Sequence, residues 1–406
     1  MNLENATRLT IAVAFYCLAY AVTSAQSLPD MSALRFDIAA QRPDPPANDA
    51  PRNVLSAAEW ERVDAAVAKA LIWLAHQQQP TGAFPSIDTG QPGVTALGVM
   101  AFVSHGHLPD DDLFGKQLRS AVDFALSCQQ ENGLVSLCAP AGPVISRNVT
   151  HDIGTSTAYN HAISSLMLAE MYGMSDGDQA ARVQRAVSRA LVASLAMQRW
   201  PKDHAEDRGG WRYLHDFDDR DSDLSITGWE LMFLRSARNA GFDVPKRAID
   251  DAVVYVRGNF DRRFRTFRYH TGPLDTRSRG MAGAGVLAFA HAGYHRSPEA
   301  QWAAKFIEQH GFDEYNETVE IAPNWRHDRY HYGLFNCCQA MYQLGGEHWA
   351  RFYPRVVRTL LANQNANGSW DAERHHYDAQ FGNAYTTALA VMALGAPNQL
   401  LPVFQR

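Results

Sequence analysis

Residues 219–241 read DRDSDLSITGWELMFLRSARNAG, a run that opens on acids and closes on glycine. Asp223, Ser225 and Thr227 are capping types: their side-chain oxygens accept from the free N–H groups of a first helical turn, and acids suit the positive end of the helix dipole. A helix is therefore expected from about Ser225. Ile226, Trp229, Phe233, Ala237 and Ala240 fall on one stripe, while Leu231, Met232 and Leu234 make most of the remaining surface apolar. Such a helix is buried on nearly all sides. Gly241 supplies a left-handed stop, and Pro245 stands where a following helix would begin.

Similar apolar segments recur along the chain: VTALGVMAF from Val94, NHAISSLML from Asn160, ITGWELMFL from Ile226, MAGAGVLAF from Met281, NCCQAMYQL from Asn336 and TTALAVMAL from Thr386. Aligned, they place Thr95, His161, Thr227, Ala282, Cys337 and Thr387 in one column, at steps of 66, 66, 55, 55 and 50 residues. A repeat of this length marks units that bury a core only by stacking on their neighbours. Ahead of each stands an amphipathic stretch. The clearest sets Val183, Ala186, Val187, Ala190, Leu191, Ser194 and Leu195 against Arg182, Arg185 and Arg189. Helices of this kind also fit 59–77, 115–129, 245–259, 298–310 and 350–364. Six half-exposed helices alternating with six buried ones are most economically arranged as two concentric rings.

A third signal lies between the members of a pair: Gln78 with Gly82 and Phe84, Gln129 with Gly133, and Gln364 with Gly368 and Trp370. Physically it is a glutamine that bonds backbone groups freed at helix ends, a glycine that permits the turn, and an aromatic lid. The last instance is a complete Gln-x-x-x-Gly-x-Trp, the QW motif of squalene cyclases and their relatives. With six helix pairs, the chain from about Ala58 onward resembles the prenyltransferase and squalene-cyclase repeat superfamily. TAYNHAISSLMLAEMYGMS (157–175), GGWRY (209–213) and DLSITGWELMFLRSARNAGFDVP (223–245) look more closely like exported bacterial proteins that carry such repeats. The resemblance implies an all-α fold, an (α/α)6 toroid of six inner and six outer helices, over 55–406.

Length and composition agree. The 406 residues carry a net charge of −6 with 46% hydrophobic residues, enough for a large core and without the basic excess of a nucleic-acid binder. Residues 1–25 place Arg8 before an apolar run from Leu9 to Val22 and then Thr23-Ser24-Ala25, the pattern of a cleaved signal peptide, so export to the periplasm or beyond is expected. Residues 26–54 are rich in Pro, Asp and Ala and read as a flexible linker. Cys128 and Cys138 are close enough in sequence for a disulfide in an oxidising compartment, a pairing left open.

The candidate chemistry is sparser. In class II terpene cyclases the middle acid of Asp-x-Asp-Asp-Thr-Ala protonates an alkene at an inner-helix start. Aligning that threonine with Thr227 puts Asp223 on the first aspartate, while Ser225 and Ile226 stand where acids are needed; a shifted register brings in Asp221. Asp223 and Asp221 are the candidate acids, with Asp223 also fitting a plain helix cap. His161 opens the second inner helix, where a histidine can act as acid or base or simply hold a neighbour. Trp229, Tyr159, His331 and Tyr385 are the candidate cavity-binding residues. The Asp-x-Cys zinc pair of protein prenyltransferases is missing, and Leu224 replaces the glycine that an EF-hand loop over 219–230 would need. No metal and no cofactor are expected. The reading is a monomer whose central cavity takes an isoprenoid or similar lipid, with peripheral membrane contact as an accompanying partner surface. A carbohydrate-active hydrolase or lyase on the same fold and a non-catalytic scaffold are the alternatives.

Overall fold

Each expected helix forms, and the sequence signals explain most of the boundaries. In this computed structural model α1 (Ala57–Gln77) starts at a capping box, with Ser56 accepting from the Glu59 N–H and Glu59 accepting from the Ser56 N–H. Thr150, Asp223, Ser278 and Ser297 cap four later helices through their side-chain oxygens. The helix of residues 219–241 runs Leu224–Asn239, and Gly241 follows it at φ +90. The structure describes residues 52–215, 220–322 and 328–405, within one unit that begins at Pro43. The leader, the linker up to Pro51, Asp216 to Asp219 and the stretch 323–327 lie outside the described residues.

The outer helices are α1, α3 (Gly115–Ser127), α5 (Gly177–Gln198), α7 (Lys246–Gly258), α9 (Pro298–Gln309) and α11 (Gly346–Ala362). The inner ones are α2 (Gly93–Val103), α4 (His151–Tyr172), α6 (Leu224–Asn239), α8 (Arg279–His291), α10 (Tyr330–Leu344) and α13 (Gly382–Leu394), with a short α12 (His376–Ala379) before the last. Inner helices pack in the cyclic order α2, α4, α6, α8, α10, α13 and back to α2. This is the (α/α)6 toroid. Every residue of α2 is buried, whereas α7 buries only one face. A two-stranded hairpin, β1 (Phe260–Asp261) with β2 (Thr266–Phe267), fills the loop between α7 and α8.

The glutamine joints hold the units together. Gln78 Nε2 donates to the carbonyl of Gly82 in its own loop and to Gln117 on the next outer helix, both at 2.9 Å. Gln129 bonds Gly133 and Ala186 in the same way, and Gln364 bonds Gly368 and Ala66, which closes the ring from the last outer helix to the first. A fourth joint is present that the spacing hides. Gln198 donates to Gly209, eleven residues away, and to Ala248 on α7. All four glycines have φ between +88 and +98, and a Cβ on them would meet the carbonyl of Ser120, Arg189, Asp251 or Lys69 at 2.2–2.5 Å. Only glycine fits both demands. The loop is then tied inward: the N–H groups of Phe84, Trp211 and Trp370 donate to the hydroxyls of Thr95, Thr227 and Thr387.

The lower axis is filled. Trp229 on α6 stacks on Phe335 of α10 across the ring, with centroids 5.4 Å apart and planes 7° apart. Phe404, on the C-terminal turn, packs its edge against Phe335. Val403 N–H donates to Glu170 and Gln343 donates to the Phe404 carbonyl, so the chain's end is pinned beneath the C-terminal ends of α4 and α10. The four described cysteines are free thiols, so the pairing left open between Cys128 and Cys138 is not made.

The joints give a stability prediction. Gln364→Ala leaves two carbonyls short of a donor and is expected to cost about 1–3 kcal/mol. Gly209→Ala should cost at least as much, because backbone and the Asp251 carbonyl both oppose it. Urea unfolding checks both, and a Gln364→Ala variant as stable as the parent would remove the joint from its structural role.

Candidate functional site

At the N-terminal ends of the inner helices the ring carries polar aromatics. Tyr159 (α4), Tyr332 (α10), Tyr385 (α13) and, from two loops, Tyr213 and Tyr269 are all half-buried there. Asp223 caps α6 in their midst and is itself fully buried. Its Oδ1 accepts from the Ile226 N–H at 3.0 Å and from the Ser225 hydroxyl at 2.6 Å. Because Ser225 spends its proton on Asp223, the hydroxyl of Tyr159, 2.7 Å from Ser225 Oγ, is the donor in that contact. The Asp223 Oδ2 atom has no aligned hydrogen-bond partner. Tyr213 and Tyr269 join their hydroxyls at 2.5 Å.

Burial favours the protonated form of this acid. Loss of water raises the Asp223 pKa, and the opposing pull of Arg212, Ser225, the Ile226 N–H and Tyr269 does not cancel it. The tyrosines are pushed well up by the same burial, so they remain neutral phenols. A second carboxyl stands at the mouth. Asp378 lies 2.7 Å from Arg329 Nη1 and accepts from the Tyr385 hydroxyl at 3.1 Å. Burial raises its pKa too, against the pull of Arg329. Tyr159 and Tyr332 feel both Asp223 and Arg329, so they bridge the two halves of the mouth.

The other candidates sit elsewhere. Asp221 is tied into its loop, accepting from the Asp203 N–H at 2.8 Å. His161 is fully buried and takes the place that threonine has in other units: its Nδ1 accepts from the Val135 N–H at 3.2 Å, and its Nε2 meets Ser194 Oγ at 2.9 Å. Burial drives its pKa down to about 3, so it is a neutral ring inside the wall rather than a group at the mouth. His331, expected on the rim, is also fully buried, between Glu373 at Nδ1 (2.9 Å) and the Tyr315 hydroxyl at Nε2 (3.1 Å). Trp229 is 2% exposed in the stack described above and floors the mouth instead of lining a deep cavity. Tyr385 stands in the first turn of α13, while Tyr159 stands two turns into α4, which begins at His151 and not at the expected start beside His161. Among the described residues no group of three His, Cys, Asp or Glu side chains is placed to hold a metal, and no helix is long and apolar enough to cross a membrane.

Tyr269 and Asp378 escaped the sequence reading because both come from connecting segments without period or motif. A different signal was legible. In the aligned repeats the column three residues past Thr95 reads Gly98, Ser164, Glu230, Gly285, Ala340 and Ala390. The lone acid, Glu230, is fully buried with both carboxyl oxygens lacking an aligned partner, and burial lifts its pKa to about 8.

By sequence the chain matches no described family and no curated protein. By structure it is similar to the type II terpene cyclase MstE from Scytonema, at TM-score 0.51 and 12% identity over 84% of this chain and 100% of that one. A variant of that cyclase in complex with geranylgeranyl dihydroxybenzoate matches at TM-score 0.51 and 13% identity, covering 84% and 99%. It is equally similar to the glycoside hydrolase family 76 mannosidase Bt3792 from Bacteroides thetaiotaomicron, at TM-score 0.55 and 12% identity over 84% and 98%. At these identities the likeness is one of fold: the chain shares the toroid of a terpene cyclase and of a mannosidase.

Glu230 makes the stability pH-dependent with a definite sign. Its folded pKa lies above the ordinary 4.5, so the stabilisation is complete below about pH 4.5 and lost as the pH climbs to and through about 8. Glu170, lifted to about 7, acts in the same direction. Between pH 6.5 and 8 the protein is expected to lose stability by about 1 kcal/mol per pH unit or more. Glu230→Gln should flatten that slope, as read from urea midpoints; an unchanged slope would mean that Glu230 is ionised in the folded protein.

Proposed function

We propose that the tyrosine-lined mouth is a reaction pocket for an unsaturated apolar ligand of the isoprenoid class, with Asp223 as its acid. The observation that carries the reading is Asp223 itself: a buried carboxyl whose pKa is raised by desolvation, with one oxygen accepting from Ser225 and the Ile226 N–H and the other without an aligned partner. A carboxylic acid delivers a proton to an alkene only if it stays protonated and is not hydrated, and burial supplies both conditions. The cation that forms would face Tyr159, Tyr213 and Tyr269, whose ring faces carry negative partial charge and whose hydroxyls are bound away. Loss of a proton from a neighbouring carbon to water then ends the reaction, and Asp223 is recharged from solvent, so the net change is an isomerisation or ring closure. The Ser225 hydroxyl does the work of a second acid here. By donating to Oδ1 it stabilises the carboxylate left after transfer, a task that the resembled motif gives to a neighbouring aspartate.

The leader pattern supports export of this activity, and the apolar ligand class is in keeping with a protein that works beside a membrane surface. A carbohydrate-active toroid has one observation in its favour, the second carboxyl, Asp378, at the same mouth. Two acids flanking a bond are what glycoside hydrolysis needs. Against it, Asp378 is engaged by Arg329 and Tyr385 and is raised rather than held ionised as a base.

The test is turnover of geranylgeraniol and squalene by the chain from Gln26 onward, followed by gas chromatography with mass spectrometry. Asp223→Asn keeps the cap but has no proton to give, and should lower the rate at least about a hundredfold while the fold, read by circular dichroism, persists. The parent rate should fall as the pH rises past the Asp223 pKa. Release of reducing sugar from mannan or another glycan, lost in both Asp223→Asn and Asp378→Asn, would replace this reading with the carbohydrate one.

A further inference from the structure

Arg329 is the one feature of the mouth that proton transfer leaves unexplained. It stands at the N-cap of α10, half-buried among Tyr159, Tyr213 and Tyr385, with only 27% of its side chain exposed. A guanidinium in such a setting normally spends its fork of donors on a carboxylate, two parallel N–H groups to two oxygens. Here that does not happen. Asp378 Oδ1 approaches Nη1 at 2.7 Å, yet it has no aligned hydrogen-bond partner, and Oδ2 is taken by Tyr385. The pair is a charge contact at one corner of the guanidinium, and no hydrogen bond from the rest of the fork to a described residue is made. Burial works against the Arg329 charge, but Asp378 and the surrounding tyrosine oxygens outweigh it, so the cation is firmly kept.

We infer that Arg329 is an anion subsite, and that it receives the carboxylate or phosphate head of the ligand whose unsaturated chain lies toward Asp223. Three observations meet in this assignment. The guanidinium has donors that no described residue takes, and it lies over the face of Tyr377. Asp378, 2% exposed, meets the guanidinium at Nη1 alone, so the ion pair leaves the rest of the fork open. Tyr159 bonds Ser225 beside Asp223 and Tyr385 bonds Asp378 beside Arg329, so the acid and the guanidinium stand at the same end of the inner ring. The free N–H groups at the start of α10 add to the attraction for an anion without being able to create the site alone. The inference rests on the proposed lipid reading for the chain of the ligand, and on Arg329 alone for its head.

The experiment compares farnesoic acid, farnesyl phosphate and farnesol, one chain with three heads, by isothermal titration calorimetry against the protein from Gln26 onward. Both anions are expected to bind at least tenfold more tightly than the alcohol, and the tighter of the two identifies the head group. Arg329→Gln combined with Asp378→Asn, which leaves no unpaired buried charge, should bring all three to the level of the alcohol. Arg329→Lys, a cation without the fork, should recover only part of the difference. If the alcohol binds the parent as tightly as the acids, the assignment is overturned without recourse to any variant. Should no lipid bind while inorganic phosphate or glucuronate does, and should that binding vanish with Arg329→Gln/Asp378→Asn, the anion subsite stands and the lipid reading falls. No binding of any anion overturns it.

Discussion

The side-chain amide of a glutamine holds this molecule together. A toroid has no sheet through which one unit can bond its backbone to the next, so consecutive helix pairs would otherwise touch only through side-chain packing, which is tolerant of rotation. Gln78, Gln129, Gln198 and Gln364 remove that freedom, because two N–H groups fixed in one plane reach one carbonyl in their own loop and one on the next outer helix. The acceptor on the next outer helix lies within that helix, whose own ladder uses one lone pair, so the glutamine uses the second. One turn further along lies the carbonyl that forbids a Cβ on the joint glycine. Angle and separation are thus set by the same two residues. Where the chain lacks the pair, it spends more: Arg279 is wholly buried against Asp328, with further bonds to Gly311 and Glu317, and Arg355 meets Asp313.

With the joints fixing the outer ring, the inner helices are free to be small. Gly98 and Gly285 lie directly beneath the rings of Phe84 and Phe267, where a Cβ would come within 2.5 and 2.2 Å. Glu230 stands in the same column of the repeat, and nothing about packing asks for it there. Burying a carboxyl without a full set of partners is destabilising, and the cheapest escape is to keep its proton. Asp223, seven residues earlier at the cap of α6, is raised by the same burial. One inner helix therefore bears two acids whose burial favours the proton, one at its cap and one in the wall behind it. A departure from packing logic confined to a single helix is what a functional constraint on that helix leaves behind.

How much of this was legible depends on where the information sits. The twelve ring helices were readable because the outer ones carry a helical period and the inner ones recur as apolar segments, and the caps at Ser56, Asp223, Ser278 and Ser297 agree with that reading. The fourth glutamine joint was not, because ten residues intervene between Gln198 and Gly209 and no local rule counts across them. The mouth was half legible: Asp223 and Tyr385 lie at helix starts and Tyr159 in the apolar repeat of α4, but Tyr213 and Tyr269 come from loops and Asp378 from the short α12, and these meet only after the ring closes. The histidines misled for a physical reason. A histidine offers the same two nitrogens to a catalytic role as to a wall contact, and His161, in the middle of α4, and His331, at the start of α10, use both inside the wall.

The electrostatics of the mouth follow from competition between two terms of unequal size. All the inner helices that bear the tyrosines, Asp223 and Arg329 present their N-terminal ends there, and each end favours negative charge by a fraction of a kcal/mol to about 1 kcal/mol. Desolvation of a buried carboxylate costs several times that, so the dipole alone does not ionise Asp223. The mouth keeps the field of its helix ends while burial disfavours an ionised aspartate at the cap of α6. A site in that condition is poised for a ligand that brings an anion with it and leaves the acid its proton.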